Sequence, residues 1–595
     1  MKRITSTFML LLLAACTARD ATTIVSVVSA GSGGGAIRGT VTTGGSPLPG
    51  ATVTLTASGA AAQTTVTDVN GNYAFVNLSP ATYTLQYELS GLRTVTRQVA
   101  VMSTQLVRAD AELHVSSVSE AITVTASAPA GFDAGDSPRA RYAAIKEHDF
   151  IATSKDATTT FAIDVDRASY ANVRSYLAEN QLPPPDAVRI EEMVNYFTYH
   201  YAPPSDGRPF AVSAEVVGCP WQPAHRLVRI GIQGRQIEQW RQAPNNLVFL
   251  LDVSGSMAPP NSLPLIRSAL RLLVDQLRAE DSVAVVVYAG AAGVVLPPTS
   301  GADKAKIVAA LDALEAGGST AGGEGIELAY KLARENFNEH GNNRVILATD
   351  GDFNVGVSDT ASLEKLIEQK RETGVFLTCI GVGGDGINDE LMKTLSVKGN
   401  GNYSYLDTIA EAKKVFVKEL GGTLVTIAKD VKVQLEFDPS LVSSYRQIGY
   451  ELRALENADF SDDAKDAGEL GSGHSVTALY EIVPARAATG RIATLRLRYK
   501  QPKGFRSSLI ESTIVDEGKN AFEATPDTQF AAAVAEMGML LRNSKYKGSA
   551  TYADALALAR AMRGEDFEGY REELLRMLET SKTLSGEGAK VALKN

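Results

Sequence analysis

Asn246-Leu247-Val248-Phe249-Leu250-Leu251-Asp252-Val253-Ser254-Gly255-Ser256 is the stretch that decides the fold. Five apolar residues in a row, stopped by an acid and two serines, are too short for a buried helix. They read as a strand covered on both faces. The pattern returns at 283–287, at 345–349 just before Asp350, and at 375–380. Between the first two runs, Leu265, Ile266, Ala269, Leu270, Leu273 and Leu277 recur at helical spacing. Buried strands alternating with helices imply an α/β domain with a parallel, doubly wound sheet over 246–425. Ligands of such sheets bind beyond the carboxyl ends of strands. Asp252 and Asp350 each stand just past such an end.

The residues at those ends share one chemistry. Asp252, Ser254, Ser256, Thr320 and Asp350 offer two carboxylates and three hydroxyls, all oxygen donors. A Mg²⁺ ion takes six oxygens at about 2.0–2.1 Å and keeps some of its waters. Mn²⁺ and Ca²⁺ are the alternatives. Two serines two residues apart can aim both hydroxyls at one point. If a carboxylate binds only through water, the ion stays electrophilic, and a Glu or Asp from a protein partner can complete its shell. Which carboxylate is direct stays open at this point. One Asp-x-Ser-x-Ser is a weak signal, because Asp and Ser crowd turns in any case. Three elements in order, at 252–256, at Gly317-Gly318-Ser319-Thr320 and at Thr349-Asp350-Gly351, are specific. They resemble the metal-ion-dependent adhesion site of von Willebrand factor type A (vWA) domains. The resemblance covers 246–425 and implies binding rather than turnover. Asp352 and Asp385 are weaker candidates. Turn and cap residues without metal are the alternative reading.

β-like patterns lie on both sides of this domain. Phe210, Val212, Ala214 and Val216 alternate, then Val228, Ile230 and Ile232. Beyond the α/β region, Val431, Val433, Leu435 and Phe437 alternate, as do Ala493, Leu495, Leu497 and Tyr499, and 476–482 is a further strand. The economical arrangement is one β-sandwich, split between 141–245 and 426–590, with the α/β domain inserted. Helices are expected at 170–177, 190–197, 529–542 and 553–562. Thr160-Phe161-Ala162-Ile163-Asp164-Val165-Asp166-Arg167, Val188-Arg189-Ile190-Glu191-Glu192-Met193 and Ile427-Ala428-Lys429-Asp430-Val431-Lys432 resemble a bacterial family of vWA domain-containing lipoproteins with its own flanking domains.

The N-terminus reads as an export signal. Lys2 and Arg3 precede a short apolar run, and Leu13-Ala14-Ala15-Cys16 resembles the bacterial lipoprotein signal (1–16), with Cys16 as the lipidated residue. Acyl chains contribute about 0.8 kcal/mol per buried CH₂, enough to anchor without a membrane-spanning helix. By resemblance to Gram-negative lipoprotein sorting, Thr17 in place of Asp implies the outer membrane, with the face left open. A flexible small-residue tether (17–36) follows. At 37–115, Thr- and Val-rich alternation with turn chemistry at Asp68-Val69-Asn70-Gly71-Asn72 reads as a small all-β sandwich. Together with Pro47-Leu48-Pro49-Gly50-Ala51 and Leu78-Ser79-Pro80-Ala81-Thr82-Tyr83, it resembles the carboxypeptidase regulatory-like domain. Ala81 replaces the usual Gly. A Ser/Ala/Pro/Gly/Asp linker (116–140) completes the N-terminal part.

Composition excludes several functions. With 595 residues the chain needs several cores. A net charge of −10, with no basic stripe, argues against nucleic acid. Three cysteines make no disulfide framework; Cys219 and Cys379 read as structural, their pairing open. Most of the six histidines read as surface residues, and they form no His-Glu-x-x-His metal pair. Ser254 lies in no Gly-x-Ser-x-Gly setting, no phosphate-binding Gly-x₄-Gly-Lys-Ser/Thr loop is present, and no Lys or Arg flanks 252–256 to stabilise a transferring phosphate. Asp164 and Asp166 read as solvated or hydrogen-bonded, not catalytic. The expectation is a lipid-anchored envelope protein, not an enzyme, that holds a protein ligand through Mg²⁺. A structural or regulatory subunit whose metal merely stabilises it is the alternative, and a metal-dependent hydrolase stands behind both.

Overall fold

The computed structural model describes residues 35–113 and 141–587, apart from the segments 44–45, 49–50, 58–62, 69–70, 89–94, 102–105, 239–242, 290–291, 318–321, 352–359, 385–386, 420–424, 464, 466 and 487–488. The readings placed on Cys16, Thr17, Thr320, Asp352 and Asp385 therefore lie outside the described residues. Two compact units separate, one up to Asp133 and one from Ala134 onward.

The first unit is a two-sheet sandwich. Gly35–Thr43 is central to one sheet and pairs antiparallel with Asn72–Leu78; Thr52–Thr56 and Ala81–Glu88 are central to the other. Inward residues of both sheets, among them Ile37, Val53, Phe75 and Leu85, form its core. The expected turn is present: Gly71 N–H donates to Asp68 O, and Asn72 N–H to the Asp68 carboxylate, both at 2.8 Å. The buried Tyr73 and Tyr87 hydroxyls meet at 2.7 Å, which satisfies both inside an apolar core.

In the second unit, strands from before and after the α/β domain share sheets. Thr158–Ala162 pairs antiparallel with Thr426–Phe437, and Arg226–Gly234 with Ser475–Pro484. The two sheets face each other over Phe161, Val228, Ile230, Val433, Leu435, Tyr480 and Leu495. Helices Pro526–Leu541, Tyr552–Ala561 and Tyr570–Leu584 pack with Ala168–Ala178 and Ile190–Val194 around the buried Trp221. Pro526–Leu541 is buried nearly all round, so it shows little amphipathic pattern.

The α/β domain has the strand order Ala292–Ser300, Ser282–Tyr288, Asn245–Asp252, Asn342–Thr349, Phe376–Gly381, Tyr403–Tyr405. Five of these run parallel; Ala292–Ser300 is antiparallel to Ser282–Tyr288. The sheet is therefore mixed at one edge, where a strand reached by a short connection can only return antiparallel. Leu263–Gln276 covers one face with Ile266, Leu270 and Leu273, and Gly322–Glu335 covers the other with Ile326, Ala329 and Tyr330. Burial on both faces explains the unbroken apolar runs of the central strands. Cys219 and Cys379 are both buried and both free.

Candidate metal centre

Three strand ends converge beside Asp252. Asn245–Asp252 delivers its carboxylate, which is fully buried. Its Oδ1 accepts from Ser254 N–H at 2.9 Å, an Asx-type turn that bends the chain sharply at the strand end. Its Oδ2 accepts from Thr349 Oγ1 at 2.9 Å and from the Tyr288 hydroxyl at 3.2 Å. The turn brings Ser254 Oγ and Ser256 Oγ to 3.0 Å from each other. Ser254 is buried and Ser256 exposed, so the pair leads from the core to solvent.

Asp350 follows Thr349 in the neighbouring strand. Gly351 has φ +99°, a backbone that favours glycine, and a Cβ there would lie 2.4 Å from Asn388 N. A Cβ on Gly383 would come within 3.2 Å of Asp350 Cβ and 3.3 Å of Ser262 Oγ, so three loops meet closely around Asp350. Thr320 is outside the described residues, yet both of its flanks reach the site. Gly317 N–H donates to Val253 O at 2.7 Å. Gly325, one turn into Gly322–Glu335, sits against Tyr288 and Leu250.

Burial raises the pKa of the Asp252 carboxyl, the hydrogen bonds from Ser254 and Thr349 oppose this, and the Asp350 carboxylate adds to it. Two acids and two convergent hydroxyls at one end of a sheet suit a hard cation that prefers oxygen. Among the described residues no group of three or more His, Cys, Asp or Glu side chains could hold a metal, so a site built from those residues draws on the serine hydroxyls. Tyr288 is the contributor that sequence reading missed. Its signal was faint: an aromatic residue closing the apolar strand Ser282–Tyr288 at the same end of the sheet.

The other sequence candidates lie elsewhere. Asp166 is buried, accepts from Tyr403 N–H at 2.9 Å, and pairs with Arg453 at 3.0 Å; Asp164 pairs with the same arginine at 2.9 Å. They are hydrogen-bonded anchors, not a solvated pair. Of the described histidines, His200 and His340 are exposed, whereas His148, His225 and His474 are half-buried, contrary to the surface reading. Each sits where domains or sheets pack, which one-dimensional polarity does not reveal.

A mixed α/β sheet with Asp-x-Ser-x-Ser and Thr-Asp-Gly at adjacent strand ends defines a von Willebrand factor type A domain, and the family model of that description matches 246–418. Further models match at 36–114 (carboxypeptidase regulatory-like domain), 136–229 (von Willebrand factor), and 422–492 with 485–584 (uncharacterized protein YfbK, C-terminal). The chain belongs to the YfbK family. It is 41% identical over 466 residues to the uncharacterized protein YfbK of Escherichia coli (strain K12), covering 74% of this chain and 80% of that one. An uncharacterized protein of Synechocystis sp. is 24% identical over 300 residues, 49% of this chain and 70% of that one. Among solved structures, a von Willebrand factor type A protein from Catenulispora acidiphila aligns at a TM-score of 0.38 and 18% identity, over 63% of this chain and 90% of that one.

Proposed function

We propose that this chain is an outer-membrane lipoprotein, anchored through Cys16, whose vWA domain binds a protein partner through Mg²⁺. In this reading Asp252, Ser254, Ser256, Thr320 and Asp350 hold the ion, and a Glu or Asp of the partner completes its shell. The bound ion supplies Lewis acidity toward that carboxylate, with no turnover. The observation that carries the reading is the environment of Asp252. It is a buried carboxylate whose strongest charged neighbour is another carboxylate, beside two serine hydroxyls that open to solvent at Ser256. A centre of that sign attracts a cation, and its exposed rim leaves room for a ligand. No Lys or Arg is among the main influences on Asp252, which disfavours phosphoryl transfer.

The test uses the lipid-free chain (residues 17–595) as bait on solubilised envelope, in Mg²⁺ and in EDTA, beside Asp252→Ala. A partner retained by wild type in Mg²⁺ alone supports metal-mediated binding. Retention indifferent to both metal and mutation overturns it. Thermal unfolding in the same buffers covers the alternative of a purely stabilising ion. At about a hundredfold its Kd the ion adds about 2.7 kcal/mol of stability, and that gain with no metal-dependent partner favours the structural role.

A further inference from the structure

A cavity of about 640 Å³ opens between the α/β domain and the flanking sandwich. Part of its wall reaches toward the opposite end of the sheet from Asp252. Arg344, near the start of Asn342–Thr349, forms part of its wall, and the six residues to Asp350 span about 20 Å at about 3.3 Å each. Asn402 and Ser404 flank it on the α/β side, with Glu469 and Ser472 on the sandwich side.

Arg344 is 3% exposed. Nη1 donates to Thr378 Oγ1 at 2.6 Å, while Nε has no hydrogen-bond partner. Among the described residues no carboxylate lies within 4.0 Å of it. Burial pushes its pKa down to about 10, and the main opposing influence is Glu469. The lysines of the same wall differ. Lys398 pairs with Glu368 at 2.6 Å, Lys414 with Glu419 at 2.6 Å, and Lys418 with Glu568 at 2.7 Å. A buried guanidinium without a counterion is costly, and its planar fork matches a carboxylate or phosphate.

We propose that this cavity binds a small anion, carboxylate or phosphate, with Arg344 as the anchoring cation. The occupant supplies the missing counter-charge and braces the α/β domain against the sandwich. The site is independent of the metal centre, and its test excludes that centre. The lipid-free chain is stripped of divalent cations, freed of chelator, and titrated calorimetrically with inorganic phosphate and separately with succinate. Saturable one-to-one binding of either is expected, and the one that binds names the anion class. Arg344→Met should weaken it by at least about tenfold and leave the melting temperature equal or higher, because an unpaired buried charge is removed. Should that variant fail to fold, Glu469→Gln decides: tighter binding supports the site, and unchanged binding overturns it. The proposal also fails if neither anion saturates below about 10 mM, or if folded Arg344→Met binds as wild type does.

Discussion

Glu536 occupies the middle of the buried helix Pro526–Leu541, 3% exposed, with one carboxylate oxygen lacking any partner. Burial pushes its pKa up to about 8, with Asp554 adding to the shift. Folding thus makes it hold its proton more tightly than the unfolded chain does. Its contribution to stability is complete below the ordinary carboxylate range and is lost as the pH rises to about 8. Glu536→Gln should therefore match wild type near pH 4 and exceed it at pH 9 by several kcal/mol, since each unit of pKa is worth about 1.4 kcal/mol. Urea denaturation at both pH values checks this, and equal gains at both would refute it. The free, buried cysteines give a second outcome at this scale. In the chain lacking Cys16, a thiol reagent should label Cys219 and Cys379 only after denaturation, and a reductant should leave the melting temperature unchanged. Labelling of the native protein would show that one of them is accessible.

Between elements, a buried set of charges joins the flanking region to the vWA domain. Arg189, just before Ile190–Val194, reaches Asp389 on helix Asp389–Lys398 through two bonds, at 2.8 and 3.1 Å, and Glu192 at 2.5 Å. Lys393 of the same helix bonds Glu192 at 2.6 Å, and Asn172 donates to Asp389 at 3.1 Å. Coulomb attraction to Asp389 and Glu192 holds the Arg189 guanidinium well above its ordinary pKa against the cost of burial. Removing one partner leaves its mates charged and unpaired. Arg189→Ala should cost about 3–5 kcal/mol, while Arg208→Ala, which breaks an exposed, solvent-screened pair with Asp206, should cost far less. Similar losses for both in denaturant titrations would contradict the distinction between buried and exposed pairs.

At the scale of the molecule, the order of folding units is set by strand pairing. Thr158–Ala162 has its partner in Thr426–Phe437, whose first residue lies 268 positions later. Neither 141–245 nor 426–587 can complete a sheet alone. Each fragment expressed singly should remain unfolded by circular dichroism, and the two should recover β structure only when the intact chain or both halves are present. A cooperative transition for 426–587 alone would overturn this. The unit before Asp133 has its own core, so removing 36–114 should leave the melting transition of the remainder unchanged.

Much of the fold was legible because its signals are local. The buried strands at 247–251 and 345–349 announced themselves as unbroken apolar runs, and Asp252, Ser254, Ser256 and Asp350 stood at their ends. Ala292–Ser300 was missed because two prolines and a half-exposed pattern obscure an edge strand. Tyr570–Leu584 and Pro526–Leu541 show the two limits of helix reading. One presents a charged face, and the other is apolar on nearly every side.

The sequence by itself determined the α/β insertion, the split sandwich and the oxygen-bearing side chains at the strand ends of the candidate metal centre, since period, strand length and turn chemistry are properties of neighbouring residues. Only the tertiary structure decided that Tyr288 and Thr349 orient Asp252, that Arg189 meets Asp389, and that Arg344 faces a cavity without a counterion. Those relations depend on burial and on groups tens to hundreds of positions apart, and electrostatics acts through space rather than along the chain.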